Sequence, residues 1–329
     1  MSPLVCIVIL SWNSRDDILE CLRSLQGLDY PNYRIVLVDN GSTDDTVTTV
    51  RAQFPHVQII ENGQNFGYAE GNNVGIRYAL ENNADYIFIL NDDTVVAPDA
   101  VSLLVETGEQ NPTIGMLGAS VVSYFNRSKE FLGARIDWCH GMTYQIPYSI
   151  TGMGDADHVA GCALMIKSQV ARQIGLLDPA YFCYFEETDW GVRCQKAGYR
   201  VVTVFQSKVY HKGTPDNIRH ISPNLLFYYR RNQYYFMSKH APRSLWCLFQ
   251  LDYALQCLSQ TTSLIRLADL ENAQAVLDGF WAGLTHQYGA KRVTAPWWFK
   301  VPLVYVLGVL GKLRYQIKMC FSRGVVHNR

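Results

Sequence analysis

The feature that most constrains the fold is the apolar run Tyr86–Leu90, which ends abruptly in the polar sequence Asn91-Asp92-Asp93-Thr94. A short apolar run rich in β-branched and aromatic side chains predicts a strand that is buried on both faces. Two adjacent carboxylates repel each other, and a divalent cation bound between them and a ligand would relieve that repulsion. A solvated turn that leads into the next helix would explain the same residues. The segment therefore predicts a buried strand, with either a turn or a ligand site at its end.

Similar apolar runs recur along the chain and alternate with helical patterns. The predicted strands cover residues 4–10, 35–38, 57–60, 86–90, 115–122, 159–166 and 201–205. Between the first two, Ile18, Leu22 and Leu25 recur at helical spacing. Strands separated by helices predict an α/β protein with a mainly parallel sheet. The stretch 123–157 lacks such periodicity, which is typical of a functional loop or lid.

Polar groups follow several of the predicted strands. Ser11 and Asn13 follow the first strand, Asp39 ends the second, and the polar, glycine-bearing loop 65–73 comes before the helix that leads to Tyr86. Open α/β sheets bind ligands beyond the carboxyl ends of their strands. We expect the carboxylates of Asp92 and Asp93 to lie there.

A second acidic cluster, Glu186-Glu187-Thr188-Asp189, directly follows the aromatic run 181–185. Acidic residues favour a helix N-terminus for dipole reasons alone, which is one interpretation. The other is a general base, because neighbouring aromatic side chains desolvate a carboxylate and raise its pKa. His211 follows the last predicted strand and is a candidate metal ligand only because the two acidic clusters precede it.

The composition excludes several classes of function. The 29 basic residues balance the 29 acidic ones, so nucleic acid is not an expected partner. Nine cysteines occur singly, without a CxxC pair, which favours a reduced, cytoplasmic protein and argues against structural zinc. The first segment is a predicted strand and not a signal peptide, and no apolar run reaches the roughly 18–20 residues that span a bilayer.

The C-terminal third predicts helices. Residues 225–237 form an aromatic helix in which Arg230 and Arg231 either contact a diphosphate or belong to a solvated basic face. Trp297 and Trp298 precede the apolar stretch 301–310 and several cations. This pattern favours a segment that lies at an anionic membrane surface. A helix packed on the catalytic domain, or an oligomer contact, is the alternative.

In order and spacing, the motifs resemble those of the inverting family 2 glycosyltransferases with the GT-A fold, especially the bacterial rhamnosyltransferase-type members. The resemblance spans about residues 1–240. It rests on Val8–Asn13, Val38–Asp44, Asn65–Gly67 with Gly71–Asn73, Leu90–Thr94, Glu186–Asp189 and His211. It implies a Rossmann-like, mainly parallel mixed sheet flanked by helices, with a catalytic domain at 1–240. Residues 241–329 then form a C-terminal helical extension that associates with the membrane.

The resemblance also implies roles for individual residues. Asp93 and His211 would hold Mg²⁺ or Mn²⁺. Glu187 would be the catalytic base, in a position where the family usually has Asp, while Asp189 would orient a neighbouring donor or cap the helix, unless the two roles are exchanged. The residues expected to contact the nucleotide-sugar donor are Ser11, Asn13, Asp39, Asn65, Gly71, Asn72, Asp92, Arg230 and Arg231.

The implied reaction is the transfer of a sugar from a nucleotide-sugar to a hydroxyl of a glycan acceptor. The resemblance favours dTDP-L-rhamnose as donor, followed by a UDP-hexose, and a polyprenyl-diphosphate-linked acceptor at the cytoplasmic face of the cell membrane. A sugar nucleotidyltransferase would need a glycine-rich, basic loop after the first strand, which residues 11–14 lack. A non-catalytic carbohydrate-binding relative would not require both acidic clusters.

Overall fold

The computed structural model describes residues 2–146, 152–213, 222–290 and 292–300. The chain divides into two compact units. The first, which we call the sheet unit, comprises Met1–Asp137 and Met142–Ile218. The second, the helical unit, comprises Trp138–Gly141 and Arg219–Arg329.

Twelve strands and nine α-helices occur in the described residues. The strands are β1 (Val5–Ser11), β2 (Tyr33–Asp39), β3 (Gln58–Glu61), β4 (Tyr86–Asn91), β5 (Thr94–Val96), β6 (Ile114–Ser123), β7 (Glu130–Phe131), β8 (Ala134–Asp137), β9 (Met142–Gln145), β10 (Met153–Asp155), β11 (Ala163–Lys167) and β12 (Arg200–His211). The helices are α1 (Arg15–Leu25), α2 (Thr46–Gln53), α3 (Gly67–Glu81), α4 (Ala100–Gln110), α5 (Ser168–Ile174), α6 (Glu186–Lys196), α7 (Pro223–His240), α8 (Trp246–Arg266) and α9 (Leu270–Leu284).

The sheet unit is built on one mixed sheet with the strand order β10-β12-β6-β11-β4-β1-β2-β3. Strands β3, β2, β1 and β4 pair in parallel, and so do β6 and β12. Strand β11 lies antiparallel between β4 and β6, so the six strands β3, β2, β1, β4, β6 and β12 all run in one direction. The mostly parallel mixed sheet confirms the predicted fold class. It also places the carboxyl ends of six strands along one edge.

Two apolar layers cover the faces of this sheet. Alternate residues of β1 point to opposite faces, so Ile7 belongs to one layer and Val8 to the other. Glycines let α3 approach β1 closely, since a Cβ at Gly75 would lie 2.2 Å from a methyl carbon of Val8. The position of α3 on the sheet therefore depends on residues without side chains.

Three details differ from the sequence predictions. Helix α3 begins at Gly67, so Gly71 lies within a helix and not in a polar loop. Strand β11 begins at Ala163, four residues later than predicted, because Gly161 and Cys162 form a turn in which the Ala163 N–H donates to the Ala160 carbonyl. The stretch 123–157, predicted to be irregular, contains the short strands β7 to β10.

The helical unit packs α7 against α9 and α8. Helix α7 confirms the aromatic helix predicted over 225–237, and its N-cap residue Ser222 accepts a hydrogen bond from the Leu225 backbone N–H. The predicted domain boundary at 240 stays a prediction, and the contacts of α7 lie with α9 on the C-terminal side of that boundary.

Arg230 and Arg231 are buried in this helical packing. Arg231 is fully buried and donates to the Gly289 carbonyl and to Asn232 Oδ1, while Arg230 donates to Gln260 Oε1 over 2.7 Å. These contacts argue against both sequence interpretations, because neither guanidinium is on a solvated face or open to a diphosphate. The structure supports a packing role, in which polar partners compensate the buried charge.

No helix among the described residues is long and apolar enough to cross a membrane. Trp297 and Trp298 are exposed, at 76% and 54% of their surface. The apolar stretch 301–310, to which the membrane prediction mainly referred, lies outside the described residues.

Candidate active site

The carboxyl ends of the parallel strands bring the predicted polar residues together. Ser11 at the end of β1 is paired in register with Asp39 at the end of β2. On the other side, Leu10 is paired with Asn91, which directly precedes Asp92 and Asp93. His211, at the end of β12, is paired with Thr94. The sheet topology thus places residues from four distant segments along one edge.

Asp93 and His211 form the centre of this edge. Asp93 Oδ1 lies 3.1 Å from His211 Nε2, and both side chains are mostly buried. Burial tends to raise the pKa of the Asp93 carboxyl, but its interaction with His211 outweighs burial and lowers that pKa. In turn, burial tends to lower the pKa of His211, while Asp93 and Cys162 raise it to about 10 in the absence of a metal. Each side chain therefore stabilises the charged form of the other.

The donor set of this pair fits a divalent cation that is shared with a substrate. Asp93 Oδ1 is buried and lies 3.1 Å from His211 Nε2 without the geometry of a hydrogen bond, so a cation held by both atoms would satisfy this oxygen. The space beside it is kept open by Gly213, where a Cβ would lie 2.7 Å from Asp93 Oδ2 and 3.2 Å from His211 Nε2. No group of three or more His, Cys, Asp or Glu residues that could hold a metal occurs in the described part of the chain. Two protein ligands suit Mg²⁺ or Mn²⁺, which take their remaining ligands from water and substrate phosphates.

Asp92 is held differently from its neighbour. Its Oδ2 accepts a 2.5 Å hydrogen bond from Ser14 Oγ, at the start of α1. Burial raises the pKa of Asp92 to about 6, against the lowering effect of Ser14. Asp92 therefore connects the segment that carries Asp93 to the β1–α1 turn through a hydrogen bond. Ser11, in the same turn, is buried, and only its neighbours are open to a ligand.

The β1 and β2 turns are locked to each other around Asp39 and Asn13. The Asp39 carboxylate accepts hydrogen bonds from the backbone N–H groups of Gly41 and Ser42, each at 3.1 Å from Oδ2. Asn13, which has a positive φ of 54°, accepts from the Thr43 N–H over 2.8 Å. Both residues are thus fixed without using the whole of either side chain, and Asn13 is exposed whereas Asp39 is buried, so Asn13 is the more open of the two to a ligand.

The asparagine-rich segment is partly exposed and partly buried. Asn65 is exposed, and its Oδ1 accepts from the Gly67 N–H and from Asn40 Nδ2. Asn72 is fully buried in α3 and donates to the Tyr68 carbonyl. A Cβ at Gly71 would lie 2.6 Å from a methyl carbon of Leu10, so this glycine serves packing. Of the three, Asn65 alone is placed to meet a ligand, and direct donor contact by Gly71 and Asn72 is opposed by their burial.

The second acidic cluster forms the first turn of α6. Asp189 is fully buried and accepts hydrogen bonds from Arg193 Nε at 2.7 Å and from Tyr181 Oη at 3.2 Å. Arg193 also donates to the Ile174 and Leu176 carbonyls, so Asp189 orients a side chain that fixes the preceding loop.

The other two carboxylates of α6 differ in exposure. Burial raises the pKa of Glu186 well above its usual value, and the charge of Glu187 raises it further. Glu187 keeps 20% of its side chain exposed, and its Oε1 lies 4.0 Å from His158 Nδ1. Of the three carboxylates, Glu187 is therefore the most accessible to an acceptor.

The loop before α6 is strained and is held by α3. Phe182, Tyr184 and Phe185 all have positive φ, between 64° and 76°, where a non-glycine residue costs about 1 kcal/mol or more. The Phe182 carbonyl accepts hydrogen bonds from the N–H groups of Tyr68 and Ala69, in the first turn of α3. The helix start thus stabilises the conformation that presents Glu187.

The segment 158–162 joins the two acidic clusters. Tyr68 Oη donates to the Gly161 carbonyl over 2.9 Å, and a Cβ at Gly161 would lie 3.6 Å from Glu187 Cγ. Burial raises the pKa of Tyr68 well above its usual value, and the negative charges of both clusters, from Glu186 to Asp93, add to this effect. Both acidic clusters therefore act electrostatically on one partly buried phenol.

Sequence reasoning missed several residues of this site. His158 is buried, and burial lowers its pKa, so it stays neutral beside Glu187. Tyr68, Gly161, Cys162 and Gly213 were likewise not selected. A lone histidine in an apolar segment has no sequence signal of its own, but the small residues of 160–163 before a strand indicated a close backbone approach.

Two surface cavities of about 400 Å³ lie elsewhere on the sheet unit. One is lined by residues at the start of β4 and the end of β11, such as Asp85 and Lys167, and the other by the start of β2 and β3. Both are at the amino ends of the parallel strands, opposite the edge that carries the acidic clusters. These two cavities therefore do not belong to the candidate active site.

Comparison with known proteins agrees with this arrangement. The pattern of the family described as glycosyl transferase family 2 matches residues 6–175, slightly more than half of the chain. The chain belongs to glycosyl transferase family 2. It is accordingly an enzyme, a glycosyltransferase, and the matched residues include Asp39, Asp92 and Asp93 but end before Glu187 and His211.

Three curated relatives resemble this family 2 glycosyltransferase over most of their length. The low-salt glycan biosynthesis hexosyltransferase of Haloferax volcanii is 25% identical over 69% of this chain and 73% of its own. The dTDP-rhamnosyl transferase of Shigella flexneri is 26% identical over 74% and 83%. The N-acetylglucosaminyl-diphospho-decaprenol L-rhamnosyltransferase of Mycobacterium tuberculosis is 21% identical over 73% and 86%.

Solved structures share the fold at low sequence identity. GalNAc-T7 with UDP, GalNAc and Mn²⁺ is 18% identical, with a TM-score of 0.57 over 69% of this chain and 48% of its own. The mannosyltransferase PcManGT of Pyrobaculum calidifontis, in complex with GDP-Man and Mn²⁺, is 18% identical, with a TM-score of 0.54 over 95% and 81%. These likenesses confirm the GT-A-like fold of the glycosyltransferase.

Proposed function

We propose that this glycosyltransferase moves a sugar, with inversion, from a nucleotide-sugar to a hydroxyl of a glycan acceptor. The observation that carries the proposal is that Gly161 and Cys162 connect the two acidic clusters, since Gly161 lies against Glu187 and Cys162 interacts with His211 of the Asp93–His211 pair. An inverting transfer needs a diphosphate site and a base in one cavity, and no enzyme nucleophile. The two acidic clusters meet the first two requirements.

The donor nucleotide would lie along the strand-end edge. Asp39, Asn13 and Asn65 are fixed by neighbouring backbone groups and are the residues we assign to the nucleotide side. Asp93 and His211 would hold Mg²⁺ or Mn²⁺ together with the diphosphate. When bound, such a cation neutralises the charge that develops on the leaving group. The imidazole ligand favours Mn²⁺.

Glu187 is the residue we assign to deprotonation of the acceptor. The acceptor oxygen forms a bond to the anomeric carbon of the sugar as the bond from that carbon to the donor phosphate breaks. The acceptor proton goes to Glu187, and the nucleoside diphosphate leaves with the bonding electrons. His158, neutral and buried beside Glu187, is a positioning residue that limits the side-chain freedom of the base.

A comparison of neighbouring carboxylates tests this assignment. General-base catalysis is typically worth about 10²–10⁴-fold, so Glu187→Gln should lose that factor in kcat and keep its KM for the donor. Glu187→Asp, which has the residue usual in the family, should keep part of the activity. Glu186→Gln is the matched control, since it changes the adjacent, buried carboxyl and should keep kcat within a few-fold. Loss of kcat in Asp189→Asn with retention in Glu187→Gln, in folded proteins, would exchange the two roles.

The metal requirement has its own test. Asp93→Ala should abolish nucleotide release from the donor in the presence of acceptor, while the circular dichroism spectrum stays unchanged. In the wild type, EDTA should abolish turnover and added Mn²⁺ or Mg²⁺ should restore it. Turnover by Asp93→Ala in excess EDTA would refute a metal-dependent mechanism.

We propose dTDP-L-rhamnose as the favoured donor and a UDP-hexose as the next candidate. Support comes from the relatives named as rhamnosyltransferases. The name of the mycobacterial relative supports a polyprenyl-diphosphate-linked acceptor. A screen of nucleotide-sugars by nucleotide release, with and without a lipid-linked acceptor, identifies both substrates. A preference for a GDP-sugar would contradict the proposed donor.

Association with the cytoplasmic face of the cell membrane, in the assembly of surface polysaccharides, completes the proposal. The exposed Trp297 and Trp298 support it, because tryptophan favours the bilayer interface. Removal of residues 296–329 should abolish co-sedimentation of the protein with anionic vesicles. If the full-length protein does not bind such vesicles, this segment serves packing instead.

A further inference from the structure

Helix α8 carries a second apolar stripe that remains exposed or half-buried in the described part of its unit. Its buried residues, Phe249, Tyr253, Cys257 and Thr261, recur every four residues and pack within the helical unit. On the opposite side of the helix, Leu248, Leu251 and Leu255 are exposed at 51%, 62% and 56%. Three exposed leucines in eight residues exceed what scattered surface apolar residues explain.

The spacing of this stripe is that of a coiled coil. With Leu258, Thr262 and Ile265 it continues in steps of three and four residues from 248 to 265, along almost the whole of α8. Two positions per heptad make a narrow seam of the kind that another helix covers. A helix that lies in a bilayer interface has a broader apolar face and basic residues beside it. The residues beside this stripe include one Asp and one Arg.

We propose that this stripe, residues 248–265 of α8, is the contact surface for a second copy of the chain, with the two α8 helices antiparallel. Asp252 and Arg266 flank the stripe towards opposite ends. A parallel, in-register pair would set each charge beside its own copy. In an antiparallel pair with full overlap, Asp252 of one copy approaches Arg266 of the other to within about 8 Å along the axis. Between two copies of the chain, charge therefore favours the antiparallel direction over the parallel one.

Dimerisation through this stripe requires little additional ordering of the chain. Isolated helices of this length are marginal in water, so coiled-coil pairing usually includes the cost of helix formation. Helix α8 is already held by ring contacts from Tyr253 to Tyr234 of α7 and to Phe280 of α9. A pre-formed helix face leaves most of the apolar burial available for binding.

Sedimentation of the full-length protein over a concentration series tests the proposal. The wild type should dimerise, and Leu251→Gln with Leu255→Gln should raise the dissociation constant roughly 100-fold or more, because four buried leucines are lost per dimer. Leu267→Gln with Leu270→Gln is the matched control. These leucines are exposed at 77% and 66% but lie off the stripe, so the dimer should persist.

Cross-linking tests the direction of the helices. In an antiparallel pair, the two copies of residue 259 lie about 8 Å apart along the axis and the two copies of residue 247 about 28 Å apart. A short bismaleimide should therefore link Ser259→Cys in a Cys247→Ser background, and should not link the wild type through the exposed Cys247. Efficient linkage through Cys247 would indicate a parallel pair and refute the proposed direction.

Three other results would overturn the proposal. One is a wild type that stays monomeric at all concentrations. The second is a monomer that binds vesicles through the stripe, shown by loss of binding in Leu251→Gln with Leu255→Gln, which would make a membrane the occupant. The third is a monomer that dimerises only after removal of residues 301–329, which would mean that this segment covers the stripe. None of these measurements depends on the substrate of the enzyme.

Discussion

Replacement of Glu186 by glutamine should make the protein more stable at neutral pH. Glu186 is 4% exposed, and its Oε2 has no hydrogen-bond partner among the described residues. Burial and the neighbouring Glu187 raise its pKa well above the usual value, so folding favours the protonated form of this carboxyl. Glutamine has nearly the same shape and never ionises, so it should keep the packing and remove the titration.

The sign and the size of the effect follow from proton linkage. A carboxyl whose pKa is raised by folding favours the folded state fully below its unfolded pKa, and this contribution is lost as the pH rises towards the folded pKa. In that window the free energy of unfolding falls by about 1.4 kcal/mol per pH unit for one proton. Relative to the wild type, Glu186→Gln should therefore gain about 1.4 kcal/mol per unit from roughly pH 5 upward, for as long as the folded wild type stays protonated.

Urea denaturation at pH 5, 6 and 7 measures this difference. The matched control is Glu106→Gln on α4, because Glu106 is exposed and should show the same pH dependence as the wild type. The expected result is a stability gap between Glu186→Gln and the wild type that widens with pH. A constant gap, or one that narrows with rising pH, would show that Glu186 is ionised in the folded protein and would refute the reasoning.

Two further predictions concern the metal pair and the helical unit. Gly213→Ala should raise the Mn²⁺ concentration needed for half-maximal turnover at least tenfold, because a Cβ there would crowd Asp93. The control Gly27→Ala, whose Cβ meets no atom closer than 3.4 Å, should leave that concentration unchanged. Equal responses of the two variants would contradict the assignment of the metal site to Asp93 and His211. Arg231→Met should shift the thermal midpoint of the protein without altering the KM for the donor, because the guanidinium is buried in helical packing. A raised KM at unchanged stability would instead support the contact with the donor diphosphate that the sequence predicted.

The elements with the strongest apolar signal were predictable from the sequence. Tyr86–Asn91 and Val5–Ser11 are buried on both faces, so their runs are continuous and their positions were predicted within a residue. The start of α3 was not predictable in the same way. Its polar residues resemble a loop, and the helix is stabilised there by the tertiary contact of Gly71 with Leu10, which no local pattern contains.

The same distinction applies to the site. Asp93 and Glu187 follow apolar segments directly, so their position at the end of a strand and the start of a helix could be inferred. The burial of Arg231 could not, because its partners include a backbone carbonyl at Gly289, far along the chain. His158 was missed for a related reason, since its importance comes only from its distance to Glu187.

The position of β12 in the sheet has a consequence for the order in which the enzyme becomes functional. Strand β12 is the last strand in the described part of the chain, yet it lies between β10 and β6 and ends in His211. A nascent chain that has only the family-matched residues 6–175 therefore lacks an interior strand and exposes the edge of β6. During synthesis the sheet is completed, and the histidine joins Asp93, only after about two thirds of the chain has left the ribosome. We therefore expect residues 6–175 to be a poor unit for expression by themselves, and the smallest stable fragment to extend beyond residue 211.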